Sequence, residues 1–144
     1  MTFRKILCPT DFSEGARQAL RLALAMSADA QLVLLHVWQP PYVYGADATF
    51  PGAVAVETKS VAENELAQWK NEVEQLGARG VTTLMVSGAP WHEIVELARR
   101  DPTIDLIAMG THGYTGLKHV LLGSVAEKVV RHAPCPVLAA RVRE

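Results

Sequence analysis

Apolar runs of strand length alternate with helical stripes along the whole chain, and few folds accept that alternation. Phe3 to Cys8 is a short β-type run ending at Pro9. Ser13 to about Met26 is rich in Ala and Leu, with Leu20, Ala23 and Leu24 at helical spacing and Ser13 as the expected N-cap. Gln31 to Trp38 (QLVLLHVW) is almost continuously apolar, as a strand covered on both faces should be. Pro40, Pro41, Gly45, Pro51 and Gly52 mark an irregular stretch to about residue 55, the one long loop. Val61, Leu66, Trp69, Val73 and Leu76 then form a helical stripe ended at Gly77 and Gly80, of which Leu66, Trp69, Val73 and Leu76 are read as core.

Val81 to Ser87 reads as a strand, and Pro90 suits the first turn of a helix carrying Ile94, Val95, Leu97 and Ala98. Ile104 to Met109 is a buried strand, Gly110 to Gly123 a loop with four glycines, Ser124 to His132 a helix and Pro136 to Val142 a final strand. The order β-α-β-α-β-α-β-α-β predicts an α/β fold: an open five-stranded parallel sheet with helices on both faces, because right-handed crossovers carry the chain over it.

Size and charge narrow the function. A chain of 144 residues suits one domain, spanning residues 1–144. Fourteen Lys and Arg against fifteen Asp and Glu leave a net charge of −1, without the basic excess that nucleic-acid binding by counterion release requires. Cys8 and Cys135 stand far apart with no CxxC, which argues against a disulfide scaffold or a cysteine zinc site. Cys8 is expected to be buried and inert. No run approaches the ~18–20 apolar residues of a membrane span. Arg4-Lys5 precedes only Ile6-Leu7-Cys8, too short for the apolar region of a signal peptide. The expectation is a cytoplasmic protein that meets neither membrane nor nucleic acid.

In open parallel sheets ligands bind beyond the carboxyl ends of the strands, where strand order reverses. Pro9-Thr10-Asp11-Phe12-Ser13 follows the first strand, Val37-Trp38 closes the second, and Met109-Gly110-Thr111-His112-Gly113 leads from the fourth toward Gly123-Ser124. Gly110 and Gly113 can adopt positive φ and admit a phosphate close to the backbone. Ser124 with Glu127 forms an S-x-x-E capping box, and a helix N-terminus favours an anion. The glycine segment either cradles an oligophosphate or merely marks turns. There is no G-x-x-x-x-G-K-[ST], and G-x-x-G-x-x-G is not the dinucleotide G-x-G-x-x-G.

Together these segments resemble the universal stress protein family, in its ATP-binding branch. That branch carries G-x2-G-x9-G-[ST]. Here it reads Gly110-Thr111-His112-Gly113, nine residues from Tyr114 to Leu122, then Gly123-Ser124. ILCPTDFSEGA, LLHVWQP and HAPCPVL are similar to the family's first strand and turn, second strand, and last crossover and strand. The resemblance implies strand order 3-2-1-4-5, with the switch point between the first and fourth strands. It also implies that Thr10, Asp11 and Val37 form the adenosine side, with Pro9 shaping the turn. Met109 and Gly110 would lead toward the phosphates, and Gly113, Gly123, Ser124 and Val125 would hold them. Mg²⁺ would be carried by phosphates and water, with no metal site of the protein's own.

His112 contacts phosphate, shuttles a proton or is simply solvated. Lys118 screens phosphate charge or is solvated, and Tyr114 and Leu117 cover the ligand or pack the loop. Asp11 binds ribose, ligates a metal or only turns the chain. His36 reads as a satisfied residue near the core. The last strand would be a sheet edge, and the resemblance implies a homodimer through residues 136–142. The leading expectation is a stress-response protein that binds an adenine nucleotide, ATP, as a sensor or regulator. The alternatives are a slow ATPase or phosphotransferase with no assigned catalytic residue, and an interaction protein of the same fold without nucleotide.

Overall fold

The computed structural model describes residues 2–39, 51–112 and 122–142, the stretch 51–58 by its backbone alone. The expected alternation is present: β1 (Lys5–Pro9), α1 (Glu14–Met26), β2 (Gln31–Trp38), α2 (Pro51–Gln75), β3 (Gly80–Ser87), α3 (Pro90–Arg100), β4 (Leu106–Gly110), α4 (Ser124–His132) and β5 (Val137–Ala140). The strands form one parallel sheet in the order β3-β2-β1-β4-β5. Ile6 sits beside Leu32 on one flank and Leu106 on the other, so β1 is the central strand.

Both faces of the inner strands are covered, which explains their continuous apolar runs. Ile6, Cys8, Leu32, Leu34, Leu106 and Ala108 face one core with α1 and α2. Leu7, Val33, Leu35, Ile107 and Met109 face the other with α3 and α4. Gly15, Ala16, Ala19 and Ala23 give α1 a small-residue face, which lets it lie close over β4.

Several boundaries differ from the sequence reading. α2 begins at Pro51, not near residue 55, because a proline is tolerated in the first helical turn, where its missing N–H has no helical partner to lose. The remainder of the expected long loop, 40–50, lies outside the described residues. The α2 stripe buries Leu66, Trp69 and Val73, but Val61 and Leu76 are 60% and 59% exposed. Leu76 lies just past the helix, where Gly77 at φ +108° turns the chain away and Ala78 N–H donates to the Val73 carbonyl. β4 starts at Leu106, since Ile104 closes a turn onto the Asp101 carbonyl. β5 is four residues long and forms one edge of the sheet; β3 is the other.

The two cysteines are free thiols. Burial pushes the Cys8 thiol up to about 12, which keeps it protonated and unreactive. Cys135 is raised by burial and, after that, by the Asp105 charge. No described helix is long and apolar enough to cross a membrane.

Candidate functional site

A cleft of about 780 Å³ opens along the carboxyl ends of β2, β1 and β4. It sits at the switch point: β1 feeds α1 on one face of the sheet and β4 feeds α4 on the other. Pro9, Thr10, Asp11, Val37, Met109, Gly110, His112, Gly123, Ser124 and Val125 all line it. Gly113, Tyr114, Leu117 and Lys118 lie outside the described residues.

On the β1 side the turn is held by side chains. Thr10 Oγ1 accepts from the Phe12 N–H at 2.9 Å, and Asp11 Oδ1 accepts from the Ser13 N–H at 3.0 Å. Ser13 caps α1 as expected, its hydroxyl accepting from the Ala16 N–H at 3.2 Å. Phe12 takes φ +66°, a left-handed conformation that bulky residues rarely adopt. Its ring lies 4.6 Å from the His36 ring and 5.7 Å from Trp69, centroid to centroid, and those contacts hold the turn in place. His36 Nδ1–H donates to the Thr10 carbonyl at 2.8 Å, so His36 is satisfied and its tautomer assigned when neutral.

On the β4 side the connection is built from backbone. Thr111 N–H donates to the Ala140 carbonyl at 2.9 Å, and the Thr111 carbonyl accepts from the Gly123 N–H at 2.7 Å. That second bond brings the two ends of the glycine segment together across eleven intervening residues of chain. Thr111 Oγ1 and His112 Nδ1 share a hydrogen bond of 2.9 Å.

Two expectations about this wall are corrected. Gly110 is not among the residues with positive φ; a Cβ there would stand 2.8 Å from the Gly15 carbonyl carbon and 3.0 Å from the Ala16 nitrogen. It is glycine because α1 crosses it at close range. The capping box is absent as well. Gly123 is the N-cap, with ψ 165° and no side-chain bond to the helix, and Ser124 is the first helical residue. Glu127 turns outward to Arg131. The Gly123–Thr111 bond holds Gly123 in the extended conformation of an N-cap, so the helix starts one residue earlier than the capping box predicts.

The sequence reading missed the far wall. Val61, Ala62 and Glu65 of α2, Pro90 and Ile94 of α3, and Leu122 also line the cleft. The rule of carboxyl ends applies to Pro90 as it does to Pro9, so α3 was findable. Nothing local marks the upper turns of α2, whose exposure only the packing determines. Trp38 lines the cleft too, its Nε1 buried without an acceptor among the described residues. Among the described residues no three His, Cys, Asp or Glu side chains come together to hold a metal.

An open α/β sheet with one large cleft at its switch point is the class these features define. The chain belongs to the universal stress protein family, whose family model matches residues 2–141. It is 36% identical to the universal stress protein MJ0577 of Methanocaldococcus jannaschii, over 96% of this chain and 95% of that protein. The solved structure of MJ0577 superposes with a TM-score of 0.86 at 35% identity, covering 100% of this chain and 99% of that one. UspA from Lactobacillus plantarum superposes with a TM-score of 0.86 at 29% identity, over 98% and 99% of the two chains. A universal stress protein in complex with cAMP shares the fold at a TM-score of 0.71 and 24% identity, over 98% of each chain.

Proposed function

We propose that the cleft binds an adenine nucleotide, ATP carried with Mg²⁺, and that this protein is a nucleotide-dependent regulator of the stress response. The observation that carries the proposal is the α4 N-terminus. It opens on the cleft beside Gly110 and His112 with no side-chain cap, so its first N–H groups have no partner within the helix. Such an end, with its macrodipole, suits phosphate oxygens. The G-x2-G-x9-G-[ST] pattern supplies the same segment. In this reading Thr10, Asp11 and Val37 meet the adenosine, Pro9 shapes their turn and Met109 lines the passage toward the phosphates. Gly110, His112, Gly113, Gly123, Ser124 and Val125 surround the phosphates, which with water would carry the Mg²⁺. The universal stress protein solved with cAMP supports an adenine nucleotide in this fold, and at 24% identity its likeness to this chain establishes the fold alone.

The proposal extends to a homodimer through residues 136–142, supported by β5 being a sheet edge with Val130 and Val142 exposed nearby. Calorimetric titration with Mg-ATP tests the binding. Wild type should saturate, and Gly123→Asp, which caps α4 and sets a carboxylate where phosphate would lie, should bind at least tenfold more weakly while remaining folded. No saturable heat from wild type would remove the nucleotide reading. Light scattering of the same samples would remove the dimer if it returned a monomer at micromolar concentration.

A further inference from the structure

Glu65 lines the cleft from the α2 wall, half-buried, and among the described residues neither an ion pair nor a hydrogen bond engages its carboxylate. Its helix neighbours contrast with it. Glu72, two turns further along the same ridge, is paired with Arg17 of α1, and Glu74 lies 3.6 Å from Lys70. Glu65 instead flanks the buried stripe of Ala62, Leu66 and Trp69. α2 packs over β2 and β3, so it presents Glu65 at the end of the cleft that His36 and Trp38 also line. The α4 N-terminus belongs to the opposite end, past β4 on the other face of the sheet.

A carboxylate that lines a cleft gains most when the ligand brings a hydrogen-bond donor to it. Ionised, it only accepts hydrogen bonds, so it repels phosphate and suits an O–H or N–H group. We propose that Glu65 is a specificity-determining residue, accepting a hydrogen bond from the nucleoside part of the bound nucleotide, either a ribose hydroxyl or the exocyclic amino group of the base. This rests on the nucleotide reading above and adds to it the residue that tests the ligand's donors.

The experiment titrates wild type, Glu65→Gln and Glu65→Leu with the Mg²⁺ complexes of ATP, 2′-deoxyATP, 3′-deoxyATP and ITP, thermal melts verifying that each variant is folded. Glu65→Leu should weaken Mg-ATP by about tenfold or more and Glu65→Gln by less, as for a hydrogen bond to a charged group. The penalty of Glu65→Leu should vanish for whichever analogue lacks the donor that Glu65 reads. Unchanged or tighter ATP binding by both variants, or an equal loss across all four ligands, would overturn the assignment. Wild type that binds none of the four overturns the nucleotide reading and this assignment with it. Wild type that binds beside indifferent variants overturns this assignment alone. Should Glu65→Leu fail to fold, the near-isosteric Glu65→Gln carries the test.

Discussion

The β1 wall of the cleft turns on side-chain hydrogen bonds, while the β4 wall facing it turns on backbone. Between Thr10 and Ser13 three side chains accept N–H groups in four residues, and a ring wedged between His36 and Trp69 holds a strained backbone. Between Gly110 and Ser124 the joining bonds run from Gly123 to Thr111 and from Thr111 to Ala140, main chain to main chain. The consequence is chemical. Ser13 occupies a donor at the α1 terminus, whereas α4 has no side-chain cap. A rigid wall suits a nucleoside of defined shape, and an uncapped, glycine-lined wall suits phosphates that need close N–H donors.

The strongest way to break this contrast is to add one atom to the backbone wall. Gly110→Ala puts a Cβ within 2.8 Å of the α1 backbone, which cannot swing aside as a side chain would. The expected loss is about 1–3 kcal/mol, read as a lower urea midpoint at unchanged slope. A midpoint equal to wild type would show that α1 and β4 do not meet as closely as described.

The β1 wall is sharpened by comparing two truncations of Phe12. Both remove the ring, but glycine also relieves the positive φ, so Phe12→Gly should exceed Phe12→Ala in stability by about 1 kcal/mol. Equal stabilities would mean that no strain is stored at this turn.

The smallest effect belongs to the opposite end of the sheet, away from both walls. The Lys5 ammonium, 2.7 Å from Asp101, and after it the Thr103 hydroxyl hold the Asp101 carboxyl below its ordinary range. A carboxyl depressed in the folded state contributes stability above its unfolded pKa and loses it as pH falls through the lower folded value. Asp101→Asn should therefore be slightly less stable than wild type at neutral pH, with the difference closing below about pH 4. Denaturation curves across that range check it, and a gap that persists at pH 2 would assign the effect to something other than the ion pair.

Much of the molecule was legible in the residues. The alternating runs, the Ser13 cap, Pro90 at the head of α3 and the inert Cys8 all depend on short-range periodicity, turn chemistry or burial of continuous apolar segments. The candidate site was legible to the extent that strand ends announce it: Pro9 to Asp11, Val37, and Met109 to Gly110 each follow or close an apolar run. The α4 cap was misread because S-x-x-E is a local pattern, while the bond from Gly123 to Thr111 that displaces it joins residues twelve apart.

By itself, then, the sequence determined the class of fold and the chain segments that meet at the cleft. Strand length, helix period and glycine placement are written into neighbouring residues and act before distant parts meet. Only the tertiary structure decided why Gly110 must be glycine, where α4 begins, and that Glu65 reaches the cleft. Each of those depends on a distance between elements far apart in the chain, and such distances are set by how helices of particular girth pack onto the sheet.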